Sequence, residues 1–284
     1  MKKKILITGS SGYIGSHLLH ILDGTDYYID CIDLNPPQIN NGVYRKRDIC
    51  NKHITVHPHI RYDAVIHLAA SVNVGESVDY PAMYYQNNVE GTLNILERFS
   101  YNNFIFASTG AAESMQSPYG ISKRMAEDCI KSFCTKNNID FTIFRFYNVI
   151  GSTAAKPTNP DGLFYNLLQA PSRGSFTIYG NDYNTGDGTA IRDYVHVEEI
   201  CLALKTAIDK PSRTIENLGH GVGYSVKEMV DLFKLYNDVE FNVEYGPRRD
   251  GDVESSVLDY PSEYMKSIYS MKDLLKNNNG EMIE

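Results

Sequence analysis

The chain has 284 residues, 42% hydrophobic and 22% charged, which supplies a sizeable core and excludes a disordered chain. Its 27 Lys and Arg stand against 35 Asp and Glu, a net charge of −8 that argues against a nucleic-acid or anionic-membrane surface. An anionic ligand must then be gripped locally, by a few placed arginines or helix ends. In chain order, a buried strand is predicted over 4–8, then a glycine turn and a helix over 13–22. Further strands are predicted over 28–33, 63–68, 103–108 and 141–145, with helices over 81–101 and 118–137. The strands are continuously apolar rather than alternating, and helices separate them. That pattern is a parallel sheet covered on both faces, a Rossmann-like doubly wound α/β fold. Past Gly151 the character changes: Pro157, Pro160, Pro171 and a Gly/Asn/Asp cluster over 180–188 give loops and short elements. A first domain over 1–150 and a smaller α+β lobe over 151–284 are expected, with 195–208 a candidate to pack back on the first domain.

Apolar runs of about five residues fall far short of the roughly twenty of a membrane span. Thr8-Gly9-Ser10-Ser11 cuts short the signal-like start Met1-Lys2-Lys3-Lys4, so a soluble, uncleaved chain is expected. Five scattered cysteines without a C-x-x-C read as core thiols in a reducing, cytoplasmic setting. No metal is expected: His57-Pro58-His59 is a close histidine pair without H-E-x-x-H or an acidic cluster beside it.

The first strand runs into Thr8-Gly9-Ser10-Ser11-Gly12-Tyr13-Ile14-Gly15, a G-x-x-G-x-x-G turn that opens a helix. Such glycines permit a tight turn, close approach of backbone to a pyrophosphate and close packing of helix on strand. The helix end then offers unpaired N–H groups to the phosphates. Asp33 closes the second strand 18 residues after Gly15, where a carboxylate meets the adenosine ribose hydroxyls and repels a 2′-phosphate. NAD is therefore favoured over NADP. Without the glycines, Asp33 would read as a strand-end turn residue.

Tyr119-Gly120-Ile121-Ser122-Lys123 puts a phenol and an ammonium on one helix face. Chance alone places about one Y-x-x-x-K in a chain with 21 tyrosines, so the context carries the weight. A strand ending in Ser108-Thr109 precedes it. Hydroxyl, phenol and ammonium together are what hydride transfer at a nicotinamide requires, with the lysine and the oxidised ring bringing the phenol from about 10 toward neutrality.

These residues resemble the extended short-chain dehydrogenase/reductase superfamily, and more narrowly the UDP-glucose 4-epimerases. The narrower resemblance rests on Val74-Gly75-Glu76-Ser77-Val78, on Tyr84-Tyr85-Gln86-Asn87-Asn88-Val89-Glu90-Gly91-Thr92, and on Gln116-Ser117-Pro118-Tyr119-Gly120. It rests also on the run from Tyr179 to Val197, on Asn217-Leu218-Gly219 with Ser225, and on Pro247-Arg248-Arg249-Asp250-Gly251-Asp252. The resemblance implies inversion at C4 of a UDP-hexose through a 4-keto sugar, with NAD as cofactor and a homodimer as the assembly. Gly9, Gly12, Tyr13, Ile14, Gly15, Asp33, Leu34, Asp48, Ile49, Ala69, Asn88, Tyr119 and Lys123 would line NAD. Thr109, Tyr119 and Lys123 would do chemistry. Asn148, Arg192 and Arg249 would hold the diphosphate, Tyr179 the uracil and Asp252 the uridine ribose, with Ser256 beside the C2 substituent, where a small residue admits an N-acetyl group. Either arginine taken alone could instead be a surface ion-pair partner.

The chain departs from the pattern in four places. About twenty residues are missing between Thr109 and Ser117; Val72 or Asn73 stands where a lysine is usual; Pro160-Asp161-Gly162-Leu163 replaces P-N-N-L; and the C-terminal segment is short, lacks tryptophan and ends in Asn277-Asn278-Asn279-Gly280. A 4,6-dehydratase would need an acidic pair directly after Thr109, where Gly110 and Ala111 stand. A uronic-acid epimerase or decarboxylase would need only one extra arginine. A non-catalytic NAD-binding regulator on this fold would commonly lack the Tyr119/Lys123 pair, which this chain keeps.

Overall fold

The computed structural model describes residues 2–56, 59–249 and 251–276. His57, Asp250 and the polar run after Lys276 lie outside them. In chain order the elements are β1 (Lys3–Thr8), α1 (Tyr13–Ile21), β2 (Tyr27–Asp33), β3 (Val43–Lys46), β4 (Arg61–His67), α2 (Val74–Asp79), α3 (Pro81–Tyr85), a π-helical turn (Gln86–Glu90), α4 (Gly91–Arg98), β5 (Ser100–Thr109), α5 (Ala111–Ser114), α6 (Pro118–Asn137) and β6 (Asp140–Phe146). There follow β7 (Asn148–Ile150), α7 (Leu163–Arg173), β8 (Ser175–Tyr179), β9 (Ile191–His196), α8 (Val197–Asp209), β10 (Arg213–Leu218), β11 (Gly223–Ser225), α9 (Val226–Asn237), β12 (Asn242–Gly246), β13 (Ser255–Ser256) and α10 (Met271–Leu275).

Two compact units divide the chain, one of residues 1–146 with 201–216, the other of 147–200 with 217–284. Unit 1 is built on a seven-stranded sheet in the order β10-β6-β5-β4-β1-β2-β3, in which β1 to β6 pair parallel. This is the expected doubly wound sheet. Strand order reverses between β1 and β4, and in such sheets ligands sit beyond the carboxyl ends of the strands at that reversal. Leu6, Val65, Phe104, Phe106 and Ile143 are fully or almost fully buried beneath Ile95 and Leu96 of α4 and Ala126, Ile130 and Cys134 of α6. The long helix α6 begins on Pro118, with the Ser117 hydroxyl accepting from the Gly120 N–H, and ends at Asn138 in the left-handed conformation.

Three features go beyond what the sequence pattern predicts. Two are the edge strands β3 and β10; the third is the helix expected over 81–101, which is interrupted by the π turn and ends at Arg98. Ser100 and Tyr101 already belong to β5, paired with Arg61 and Tyr62.

Unit 2 holds a sheet in the order β11-β9-β13 with β7 also on β9, and a separate parallel pair β12-β8. Its core gathers Phe164 and Leu167 of α7, Met229 and Phe233 of α9, and Leu274 and Leu275 of α10 around Ile150, Ile178 and Tyr194. Among the described residues no helix is long and apolar enough to cross a membrane.

Candidate active site

The glycine turn joins β1 to α1 as its sequence demands. Gly9 has φ +74°, and a Cβ there would lie 2.6 Å from the Ala69 N atom at the end of β4; a Cβ on Gly15 would lie 2.2 Å from the Gly9 carbonyl oxygen. Neither position admits a side chain. Gly12 is the N-cap of α1 and makes no side-chain cap bond, and the first turn of the helix carries no carboxylate. A helix start without a carboxylate offers a positive dipole end to an anion. Asp33, at the tip of β2, accepts the Ser11 N–H at 3.0 Å and the Asn35 N–H at 3.1 Å, which ties the turn to the neighbouring strand. A carboxylate has about four lone-pair sites, so acceptor capacity remains. Leu34 beside it is exposed. This arrangement fits a dinucleotide.

The other expected cofactor residues are spread along the same unit. Asp48 accepts the Cys50 N–H, and Ile49, nearly buried, packs against Gly91 at the start of α4. Ala69 donates its N–H to the Thr8 hydroxyl. Asn88 lies in the π turn, almost fully buried; its amide spans Ser71 and the Ser122 hydroxyl on α6, so it fixes the loop after β4 to α6.

At the end of β5 the structure brings Thr109, Tyr119 and Lys123 together. The Thr109 hydroxyl accepts from the Ala111 N–H and pulls the Tyr119 phenol toward its ionised form. Lys123, one turn beyond Tyr119 on α6, is 3% exposed with its ammonium 4.2 Å from the centre of the Phe106 ring. The chain's own residues do not bring the phenol toward neutrality: burial pushes Tyr119 up to about 12, against the pull of Thr109. Burial also brings Lys123 down to about 7, with Glu127 working to keep it charged.

Sequence reasoning missed what surrounds these three. Glu127, fully buried on α6, takes both Arg145 nitrogens Nε and Nη2 at 2.8 and 2.7 Å and the Ser108 hydroxyl at 2.6 Å. Ser108 thus serves Glu127, leaving Thr109 to meet Tyr119. Tyr84 of α3, also fully buried, lies edge-on to Tyr119 and donates to Glu76 at 2.8 Å. The signal for the first network was present: Arg145 is a charge inside the apolar strand run Phe141–Phe146, and Glu127 follows Lys123 at i+4 on one helix face.

In unit 2 the expected substrate residues fall into two groups. Asn148 on β7 donates to the Asp193 carbonyl of β9. Next along β9, Arg192 ion-pairs with Asp252 at 3.6 Å and is in register with Ser256 of β13. Elsewhere Arg249 stands over the Tyr179 ring at 4.0 Å and donates to the Asp161 carbonyl, within the segment that departs from P-N-N-L.

Comparison with known proteins agrees with this geometry. Residues 5–219 match the model of the NAD dependent epimerase/dehydratase family. A UDP-glucose 4-epimerase of Yersinia pestis is 33% identical, over 88% of this chain and 87% of its own. The UDP-glucose 4-epimerase of Brucella ovis, solved in complex with NAD, superposes with a TM-score of 0.84 at 27% identity over 96% of both chains. A UDP-Glc/GlcNAc 4-epimerase of Campylobacter jejuni superposes with a TM-score of 0.78 at 29% identity, over 95% of this chain and 96% of that one. Motifs, sheet order and the Thr109–Tyr119–Lys123 cluster meet in one conclusion, that this chain belongs to the NAD dependent epimerase/dehydratase family.

Proposed function

We propose that this chain is an NAD-dependent epimerase that inverts C4 of a UDP-hexose, interconverting UDP-glucose and UDP-galactose through a 4-keto sugar. One observation carries the reading: Thr109, Tyr119 and buried Lys123 gather at the carboxyl end of the same parallel sheet that carries the glycine turn and Asp33. NAD, when bound, supplies the hydride acceptor that no side chain provides. Gly9, Gly12, Tyr13, Ile14 and Gly15 receive its diphosphate and Asp33 its ribose hydroxyls, while Leu34, Asp48, Ile49, Ala69 and Asn88 frame the rest.

Tyr119, as phenolate, takes the O4 proton while C4 gives up hydride, and the C4–O4 bond becomes a carbonyl. Once the keto sugar has turned, hydride returns to the opposite face of C4 and Tyr119 gives the proton back to O4. Thr109 holds the phenol oxygen in place through the step. The phenol needs a positive neighbour to ionise near neutral pH, and Lys123 is the group of this chain that provides one. Its own depressed value, about 7, leaves it substantially protonated there, more so once an anion forms beside it.

On the substrate side, Asn148, Arg192 and Arg249 are assigned to the diphosphate. Tyr179 is assigned to the uracil through its backbone and Asp252 to the uridine ribose. The register of Ser256 with Arg192 favours a wider range: a hydroxymethyl beside the diphosphate arginine leaves room for a C2 acetamido group, so UDP-N-acetylhexosamines are substrates too. The Campylobacter relative named for both sugars supports this. Exposed Met83 on α3 and Met125 on α6 support a homodimer made through these helices, and five free cysteines support a reducing, cytoplasmic setting.

The test is incubation of the purified protein with UDP-glucose, UDP-galactose and their N-acetyl counterparts, with separation of products. Mixtures of gluco and galacto epimers are expected from either side. Conversion of a UDP-uronic acid, with none of the four changed, would overturn the reading.

A further inference from the structure

The connection from Thr109 to Ser117 is where this chain is shortest against the family pattern, and it directly follows the hydroxyl that meets Tyr119. A connection of seven residues has few contacts of its own with which to hold a shape. The structure shows what holds it. Gly110 donates its N–H to the Phe146 carbonyl at 3.0 Å, the Ala111 carbonyl lies so close to α6 that a Cβ on Gly120 would come within 2.4 Å of it, and Met115 closes the turn with φ +50°. The one charged side chain of the connection, Glu113, reaches Arg145 Nη1 at 2.5 Å.

Arg145 is thereby shared. Two of its nitrogens are committed to Glu127 on the catalytic helix and the third to Glu113 on the connection. Ser108, immediately before Thr109, is tied to the same Glu127 carboxylate. Thr109 is held from both sides: upstream through Ser108 to Glu127, downstream through Glu113 to Arg145. Both paths end on α6, the helix that carries Tyr119 two turns earlier.

We propose that Glu113 is a positioning residue, which through Arg145 and Glu127 keeps the shortened connection, and with it Thr109, in register with Tyr119. It touches neither substrate nor cofactor. The inference rests on the epimerase reading. A half-exposed carboxylate at a bidentate-capable guanidinium adds little to overall stability, whereas displacement of a reacting group by about an ångström costs on the order of a hundredfold in rate. The role is therefore expected to appear in turnover rather than in folding.

The test compares wild type with Glu113→Ala, Glu113→Gln and Glu113→Asp, and reads two quantities. The first is amide hydrogen exchange over 109–117. Exchange at the Glu113 and Met115 amides should rise at least tenfold in the Ala variant, while α6 beyond Ser122 stays protected. The second is steady-state kinetics on the UDP-sugar: kcat should fall about tenfold in Glu113→Ala with KM within twofold, fall less in Glu113→Gln, and return to within threefold of wild type in Glu113→Asp. Unchanged exchange, or raised exchange with kcat unchanged, overturns the proposal. A fall in kcat matched by loss of α6 protection also overturns it, because that is general destabilisation. A wild type inert on all four sugars defeats the epimerase reading instead, and the exchange measurement then decides alone whether Glu113 holds the connection.

Discussion

The two units differ in where they keep the charged side chains nearest the expected ligand. In unit 1 the ionisable groups near the chemistry are buried: Lys123 is 3% exposed over the Phe106 ring, Glu127 is fully buried against Arg145 and Ser108, and neutral His67 bridges Thr8 and Thr92 with its two ring nitrogens. In unit 2 Arg248 and Arg249 are stacked on rings, over Tyr183 and Tyr179, while Arg192 is mostly covered in its pair with half-exposed Asp252. Removing one member of a buried set leaves an uncompensated charge or an unfilled acceptor. Removing one member of a surface stack costs contact area and a screened attraction. The difference implies that catalysis depends on unit 1 in an all-or-none manner, while unit 2 sets affinity and substrate range by degrees.

The largest effect expected is at the phenol. Tyr119→Phe deletes one oxygen, the acceptor of the O4 proton in the proposed mechanism, and leaves the ring edge-on to Tyr84. A general base contributes roughly a hundred- to ten-thousand-fold, and kcat should fall by that factor with folding intact by circular dichroism. Turnover near that of wild type would remove Tyr119 from the mechanism and break the contrast at its strongest point.

Ser256 tests the graded side. Ser256→Tyr places a phenol ring next in register to Arg192. Overpacking costs about 1–3 kcal/mol, roughly ten- to a hundredfold in discrimination. Competition assays should show that loss for UDP-N-acetylglucosamine, with UDP-glucose within threefold of wild type. Equal impairment of both sugars would mean that Ser256 does not face C2.

Asp33 belongs to unit 1 but sits at its rim, and a smaller effect is expected there. Asp33→Gly removes the repulsion of a 2′-phosphate and also frees the Ser11 and Asn35 amides that the carboxylate holds. Affinity for NAD should weaken and the preference over NADP narrow by about tenfold, one unit-charge hydrogen bond's worth. Fluorescence titration with both reduced cofactors measures it; a wild type with equal affinity for the two contradicts the assignment.

Much of unit 1 is legible in the sequence because its signals are local. The glycine turn, Asp33 at a strand end and the Tyr119–Lys123 spacing each lie within a few residues of chain, and continuous apolar strands mark the sheet. The Glu127–Arg145–Glu113 network is not, because it joins positions 18 and 32 residues apart that meet only once β6 lies beside β5. The edge strand β3, with every residue exposed or half-exposed, carries no apolar run to mark it. In unit 2 the pairing of Arg192 with Asp252 and the stacking of Arg249 on Tyr179 join loops that no periodicity marks, so roles there come from resemblance and their geometry from the structure.

The smallest effect expected is also the one that sets the two units apart in solution. In unit 1 Lys123 titrates at about 7 when folded against 10.5 as a free side chain. The unfolded chain binds more protons across that window, so this group makes stability rise with pH from about 7 to about 10.5. In unit 2 the His220 imidazole lies 2.8 Å from Glu199; that hydrogen bond raises His220 above 6.5, with burial opposing. Burial opposes the shift at Glu199 too, but the hydrogen bonds from His220 and the Ile268 N–H hold it below 4.5. The folded chain therefore binds the His220 proton more tightly, and this contribution, complete below 6.5, is lost as pH rises through the elevated value. At the acid end it is lost as pH falls through the lowered value of Glu199. His220→Gln should cost about 1–2 kcal/mol between pH 5 and 6, seen as a fall in the unfolding midpoint. The gap from wild type should close toward pH 9, where Lys123→Met should instead approach wild type from above. A His220→Gln deficit that stays constant or widens in alkali would show that the imidazole acts by packing alone, and the opposed pH responses of the two units would be lost with it.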